Sequence, residues 1–183
     1  MTIPSSSVLI VVDVQVGFVT EHSDPAVPVI ADLLARWQAA GGASVLTQFV
    51  NAPDSSYVRL IGWSELMPGD PEVDLDPRVA PLAPSATLVM AKGGYTAIAG
   101  PFIDLAKSRG WTDLYITGMD TESCVLATAL RAFELGFTPW VVKDACASHA
   151  GEYVHEAGIL VMGRFLGGRQ LVTTADLPIN KVT

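Results

Sequence analysis

The chain has 183 residues, of which 50% are hydrophobic and 16% charged, and a net charge of −8. That length carries one domain with a substantial core, read here as residues 1–183, and the composition is far from that of a disordered chain. The acidic balance, with no Lys/Arg cluster to offset it, argues against nucleic acid or an anionic membrane as partner. Two cysteines make no disulfide framework, so a reducing, cytoplasmic setting is expected. Met1–Ser7 is uncharged, the apolar run after it is too short for a signal peptide, and nothing approaches the roughly 20 apolar residues of a membrane span.

In chain order, Val8–Val12 is a β-branched, wholly apolar run ending in Asp13, the pattern of a strand buried on both faces. Residues 25–40 read as a helix with Ile30, Leu33, Leu34 and Trp37 on one side, stopped by Gly41-Gly42. A strand over 43–50 follows. Residues 51–84 form a long excursion rich in Pro, Asp and Ser. Its acidic residues Glu65, Asp70, Glu72, Asp74 and Asp76 read as a solvated face, and Leu66, Met67 and Val73 as candidates for a subunit interface. Thr87–Ala91 is a third strand, ending in Lys92. A helix spans about 101–109, with Phe102, Leu105 and Ala106 inward. The fourth strand, Leu114–Thr117, turns at Gly118 into a helix whose stripe is Val125, Ala129 and Phe133, with Leu126 and Leu130 beside it. A strand over 138–142, a helix over 152–164 and a strand over 170–173 complete the chain. Strands alternating with helices predict an α/β fold: a doubly wound, mostly parallel six-stranded sheet with helices on both faces, a Rossmann-like three-layer arrangement.

In such sheets, ligands bind beyond the carboxyl ends of the strands. Asp13, Lys92 and Cys124 all fall there, after the first, third and fourth strands. Cys124 lies in or near the first turn of its helix, where free N–H groups and the dipole favour a thiolate and can hold an oxyanion. A carboxylate and an ammonium at the ends of apolar strands compensate each other's burial. Together the three make a nucleophile, a proton acceptor and its partner. The alternative is a plain Asp–Lys ion pair with a cysteine packed near it.

Four segments, V-V-D-V-Q-V-G-F (11–18), K-G-G-Y-T-A-I (92–98), T-G-M-D-T-E-S-C-V (117–125) and V-K-D-A-C-A-S (142–148), lie in the order and spacing of the isochorismatase-like cysteine hydrolases, which the chain resembles over nearly its whole length. That family includes nicotinamidases, N-carbamoylsarcosine amidases, ureidoacrylate hydrolases and isochorismatase. The resemblance implies that Asp13 is the general base, Lys92 its partner and Cys124 the nucleophile. It also implies a cis peptide at Met119–Asp120, aiming the N–H groups of Asp120 and Cys124 at an oxyanion. Gln15, Phe18, Trp63, Tyr95, Met119 and Thr121 are expected at the substrate pocket. No cofactor is implied, the partner is a small-molecule substrate, and a homo-oligomer, dimer or tetramer, is expected.

The departures bear on substrate. The second strand runs into T-Q-F-V-N-A-P, without the aspartate and histidines that bind metal in the nicotinamidases, and no histidine occurs between His22 and His149. No metal site is expected from His22, His149 and His155, which lack ligand spacing, and Cys146 reads as core. The reaction implied is hydrolysis of a C–N bond in a small amide, carbamoyl or ureido compound. The alternatives are an isochorismatase-type vinyl-ether hydrolase that dispenses with the thiol, and a non-catalytic binding or scaffold protein.

Overall fold

Every position of β1 (Ser7–Val12) is buried, because the strand lies mid-sheet and both its faces are covered. Val8, Ile10 and Val12 enter one core and Leu9 and Val11 the other, as the two-residue period of a strand requires. The computed structural model describes residues 3–180. It arranges β2 (Ala43–Phe49), β3 (Leu88–Lys92), β4 (Asp113–Met119), β5 (Thr138–Ala147) and β6 (Leu171–Val172) with β1 in the order β3-β2-β1-β4-β5-β6. All pairings between these strands are parallel. The predicted sheet is therefore present.

On one face lies α1 (Val27–Ala39), which buries Val27, Ile30, Leu33, Leu34 and Trp37. Burial of each such side chain contributes about 1.5–3 kcal/mol. The 51–84 excursion packs on this face too. It includes α2 (Ser56–Ile61), a short helix that the sequence reading treats as irregular chain; the Ser55 hydroxyl caps its start and left-handed Gly62 ends it. Within the excursion Leu66, expected at an interface, is only 1% exposed and belongs to the core. Asp76, expected in solvent, is buried, its two carboxylate oxygens gripped by Nε and Nη2 of Arg78 at 2.8 and 2.9 Å. Charge composition reveals no such local pairing.

The opposite face carries α3 (Gly100–Arg109), α4 (Leu126–Glu134) and α5 (Glu152–Leu166). On α4 the stripe differs from the prediction. Phe133 is 51% exposed, while Thr128, Ala129 and Ala132 are buried. Counting from Val125, the seventh residue returns to the starting face and the eighth lies about 80° away from it. β5 continues past Val142 to Ala147, and β6 is only two residues long. Among the described residues no helix is long and apolar enough to cross a membrane.

The chain reverses its winding between β1 and β4, so a crevice opens beyond their carboxyl ends, at the switch point of the sheet. Close approach there depends on glycine. Gly118 has φ +118°, and a Cβ on it would stand 2.1 Å from the Val12 carbonyl oxygen. A Cβ on Gly158 of α5 would come within 2.9 Å of the Glu122 backbone, so this helix presses directly on the turn that follows β4.

Candidate active site

Asp13 leaves β1 in a left-handed conformation, φ +49°, unusual outside glycine. Its amide N–H and its Oδ1 both engage the Thr47 hydroxyl of β2, which is 3.2 Å from the nitrogen and donates to Oδ1 at 2.7 Å. That leaves Oδ2 facing Lys92, whose Nζ is 2.6 Å away at the end of β3. At that distance the contact is a buried, charge-assisted ion pair. The ammonium also donates to the carbonyls of Gly94 and Tyr95 at 2.8 and 2.9 Å, and to Cys124 Sγ at 3.5 Å. The Cys124 thiol lies within hydrogen-bonding reach of the Asp13 carboxylate. Three residues from three strand ends thus meet in one buried cluster.

After β4 the peptide bond between Met119 and Asp120 is cis. Thr121–Val125 then forms one wide π turn before α4, closed by the Val125 N–H donating to the Asp120 carbonyl at 3.0 Å. Cys124 therefore sits in a turn just before the α-helix.

Burial overrides the dipole there. Desolvation, with the Asp13 carboxylate beside it, pushes the Cys124 thiol well above the ordinary cysteine range, so the resting group is S–H. The expectation of a thiolate favoured by the helix start is corrected on this point: burial favours the protonated thiol. Desolvation likewise raises Asp13, against the lowering pull of Lys92. A carboxylate so raised is a stronger proton acceptor than one in water.

Cys124 opens onto a cavity of about 340 Å³. Phe18, Trp63 and Tyr95 line it, as the sequence reading expects, together with Phe49, Tyr57, Ile61 and His149. The rings support one another: Trp63 stacks on Phe18 with centroids 6.3 Å apart, and Tyr57 meets Phe49 and Tyr95 edge-on at 5.0 and 5.1 Å. Asn51 anchors the excursion by donating its side-chain N–H groups to the carbonyls of Trp63 and Glu65 at 3.2 and 3.1 Å. Burial, with Tyr95 next to it, pushes the Tyr57 phenol up to about 12, so it remains a neutral hydroxyl.

Three expected pocket residues stand elsewhere. Gln15 is buried behind the wall, where its amide bridges the backbone N–H and carbonyl of Phe49 and the carbonyl of Val73. Met119 is packed in the core below α1. Thr121 is buried, and its hydroxyl pairs with His155 Nδ1 at 2.7 Å. Each lies next to the site in sequence, but strand alternation and the turn direct its side chain away.

His149 is the residue that sequence reasoning missed. Asp120 receives both its backbone N–H, at 2.9 Å, and its Nδ1, at 2.6 Å. That bond, more than any other effect, raises the imidazole above the usual histidine value. The missing signal was the segment after β5, which the expected strand end at Val142 left out of the site. Among the described residues, one group of donor atoms near enough to share a metal ion is Glu152, His155 and Glu156 on α5, outside the cavity lining.

Known proteins share this fold. A family model described as Isochorismatase domain matches residues 7–176. The ureidoacrylate amidohydrolase RutB of Methylobacterium radiotolerans is 27% identical, across 90% of this chain and 76% of its own. The crystal structure of the nicotinamidase PncA from Bacillus subtilis superposes with a TM-score of 0.80 at 23% identity, covering 88% of this chain and 97% of that one. N-carbamoylsarcosine amidase from Thermoplasma acidophilum does so with a TM-score of 0.80 at 21% identity, covering 94% and 99%. These two structural likenesses carry the fold, and the family match carries the rest: the chain belongs to the isochorismatase-like hydrolase family.

Proposed function

We propose that the protein hydrolyses a C–N bond of a small amide, carbamoyl or ureido compound, with Cys124 as nucleophile, Asp13 as proton shuttle and Lys92 as support for both. The observation that carries this reading is the buried cluster itself: Lys92 Nζ lies 2.6 Å from Asp13 Oδ2 and 3.5 Å from Cys124 Sγ, and the Cys124 thiol is within hydrogen-bonding reach of the Asp13 carboxylate. A buried carboxylate between a thiol and an ammonium is placed to take a proton from the one while the other offsets its charge.

In this reading the substrate enters the aromatic cavity with its carbonyl carbon at Sγ. Asp13 takes the thiol proton as the C–S bond forms, and the developing oxyanion accepts from the N–H groups of Asp120 and Cys124. The C–N bond breaks as Asp13 returns the proton to the leaving nitrogen, which departs as ammonia or an amine. Water then attacks the thioester and gives a proton to Asp13; the acid leaves and the thiol is restored. Lys92 keeps the carboxylate oriented and offsets the charge on sulfur. We also propose that the chain works in the cytoplasm as a dimer or tetramer. The free thiols of Cys124 and Cys146 and the exposed Leu60 and Ile61 beside the cavity support that.

The test is ammonia release from a panel of primary amides and ureas, by the wild type and by Cys124→Ala. Turnover lost in a variant that still folds is the expected result. A Cys124→Ala protein that keeps full turnover of an enol ether contradicts the reading and points to the thiol-independent chemistry.

A further inference from the structure

His149 lines the same cavity as Cys124 and is the one basic side chain among the residues lining it. Lys92, the other cation close by, already donates to two carbonyls and to the sulfur. Nδ1 of His149 is committed to Asp120 at 2.6 Å, whereas Nε2 has no hydrogen-bond partner among the described residues. Because a carboxylate fixes the proton on Nδ1, Nε2 carries an N–H whenever the ring is protonated.

The position of that nitrogen is held from the nucleophile turn itself. Asp120 grips the backbone and ring of His149, and Glu122 accepts from the Ser148 hydroxyl at 2.9 Å, which in turn receives the Ala150 N–H at 3.1 Å. The two carboxylates that clamp residues 148–150 thus sit four and two positions before Cys124. The Phe18 ring, 5.7 Å away, backs the imidazole. A cavity of about 340 Å³ is small enough that a substrate bonded to Sγ also meets its wall.

We propose that His149 is a substrate-binding residue whose Nε2–H donates to a second acceptor on the substrate (a carboxylate, a second carbonyl or a ring nitrogen) besides the carbonyl that Cys124 attacks. This rests on the amide-hydrolase reading and narrows its substrates to small amides or ureas carrying such an acceptor. The carboxylates of Asp120, Glu122 and Glu65 surround the imidazole and all raise it, the hydrogen bond that it donates to Asp120 foremost, against the lowering effect of burial. The donor form therefore persists to higher pH than for an ordinary histidine. Above that range the neutral ring keeps its proton on Nδ1 and presents a lone pair at Nε2, so the preference for acceptors fades.

The experiment measures kcat/KM on matched pairs: succinamate against 4-methylpentanamide, N-carbamoylglycine against isobutylurea, and nicotinamide against benzamide. His149→Phe is expected to lower kcat/KM for the acceptor-bearing member about tenfold more than for its isostere, mainly through KM, as the loss of one charged hydrogen bond predicts. His149→Gln, which retains an N–H donor, recovers part of that difference, and the wild-type preference declines as pH rises. Equal losses for both members of every hydrolysed pair, or no loss, overturn the role of His149 while leaving the reaction intact. Failure of the wild type to release ammonia from any of the six overturns the amide reading, and this inference with it.

Discussion

Lys92 Nζ stands 2.6 Å from Asp13 Oδ2 and also donates to the carbonyls of Gly94 and Tyr95 and to Cys124 Sγ. One ammonium thus pairs with the carboxylate and touches the sulfur, holding both groups at the end of β3. Both side chains are almost wholly buried, so neither charge is solvated if the other is removed.

Removing one partner should therefore separate stability from chemistry. Lys92→Met leaves a carboxylate buried without a counter-charge and is expected to cost about 3–5 kcal/mol in denaturant unfolding. Asp13→Asn leaves the ammonium with its two carbonyl acceptors, so it should fold. It should lower kcat by about 10²–10⁴-fold, the usual contribution of a positioned general base. A folded Asp13→Asn protein with near wild-type kcat would remove Asp13 from the proton path.

The two buried thiols are expected to weaken the fold in alkali. Burial raises both: Cys124 far up, and Cys146, whose S–H donates to the Val142 carbonyl, to about 12. Unfolded cysteines ionise near about 8.5. Between that value and the folded pKa the unfolded chain binds fewer protons than the native one, so stability must fall as pH rises. The slope is about 1.4 kcal/mol per pH unit for each thiol. Below about pH 8 neither thiol contributes to the slope. Unfolding free energies measured from pH 7 to 10 should show the decline, and Cys146→Ala should make it shallower. A flat profile over that interval refutes the assignment.

Gly158 is expected to couple α5 to catalysis. A methyl group there meets the Glu122 backbone at 2.9 Å, and that backbone belongs to the turn bearing Cys124. Gly158→Ala should cost about 1–3 kcal/mol as overpacking and reduce kcat by displacing the turn. The same change at Gly163, where the nearest atom is a Leu171 methyl at 3.4 Å, serves as the control and should leave kcat unaltered.

Gln15 is expected to act through the cavity wall. Its amide satisfies the N–H and carbonyl of Phe49 together with the Val73 carbonyl, tying β2 to the excursion that carries Tyr57 and Trp63. Gln15→Ala strands the buried N–H and carbonyl of Phe49 at a cost of about 1–3 kcal/mol each, and leaves the Val73 carbonyl only the Gln48 amide that also donates to it. Limited proteolysis should then cut within residues 51–84 faster than in the wild type. Cleavage at the wild-type rate contradicts the tie.

Much of this was legible because it is periodic. The wholly apolar β1 and the Ile30–Leu33–Leu34–Trp37 stripe follow from repeats that a linear reading can count. The strand-end rule brought Asp13, Lys92 and Cys124 together for the same reason, since their positions depend only on where the strands stop. What escaped depends on direction and environment. Gln15 and Thr121 neighbour the site in sequence yet point away from it, and His149 enters only because β5 runs on to Ala147. The thiol's pKa was misread because a helix start is visible in a sequence, whereas the depth of burial that outweighs it is not.

The central claim is a covalent bond at one sulfur. Acid-quenching the wild-type enzyme during turnover of an amide that it hydrolyses, then mapping peptides by mass, should reveal the acyl group of that substrate on the Cys124 peptide and none on Cys146. Rapid ammonia release with Cys124 unmodified at every quench time, and equally rapid release by Cys124→Ala, would contradict the account.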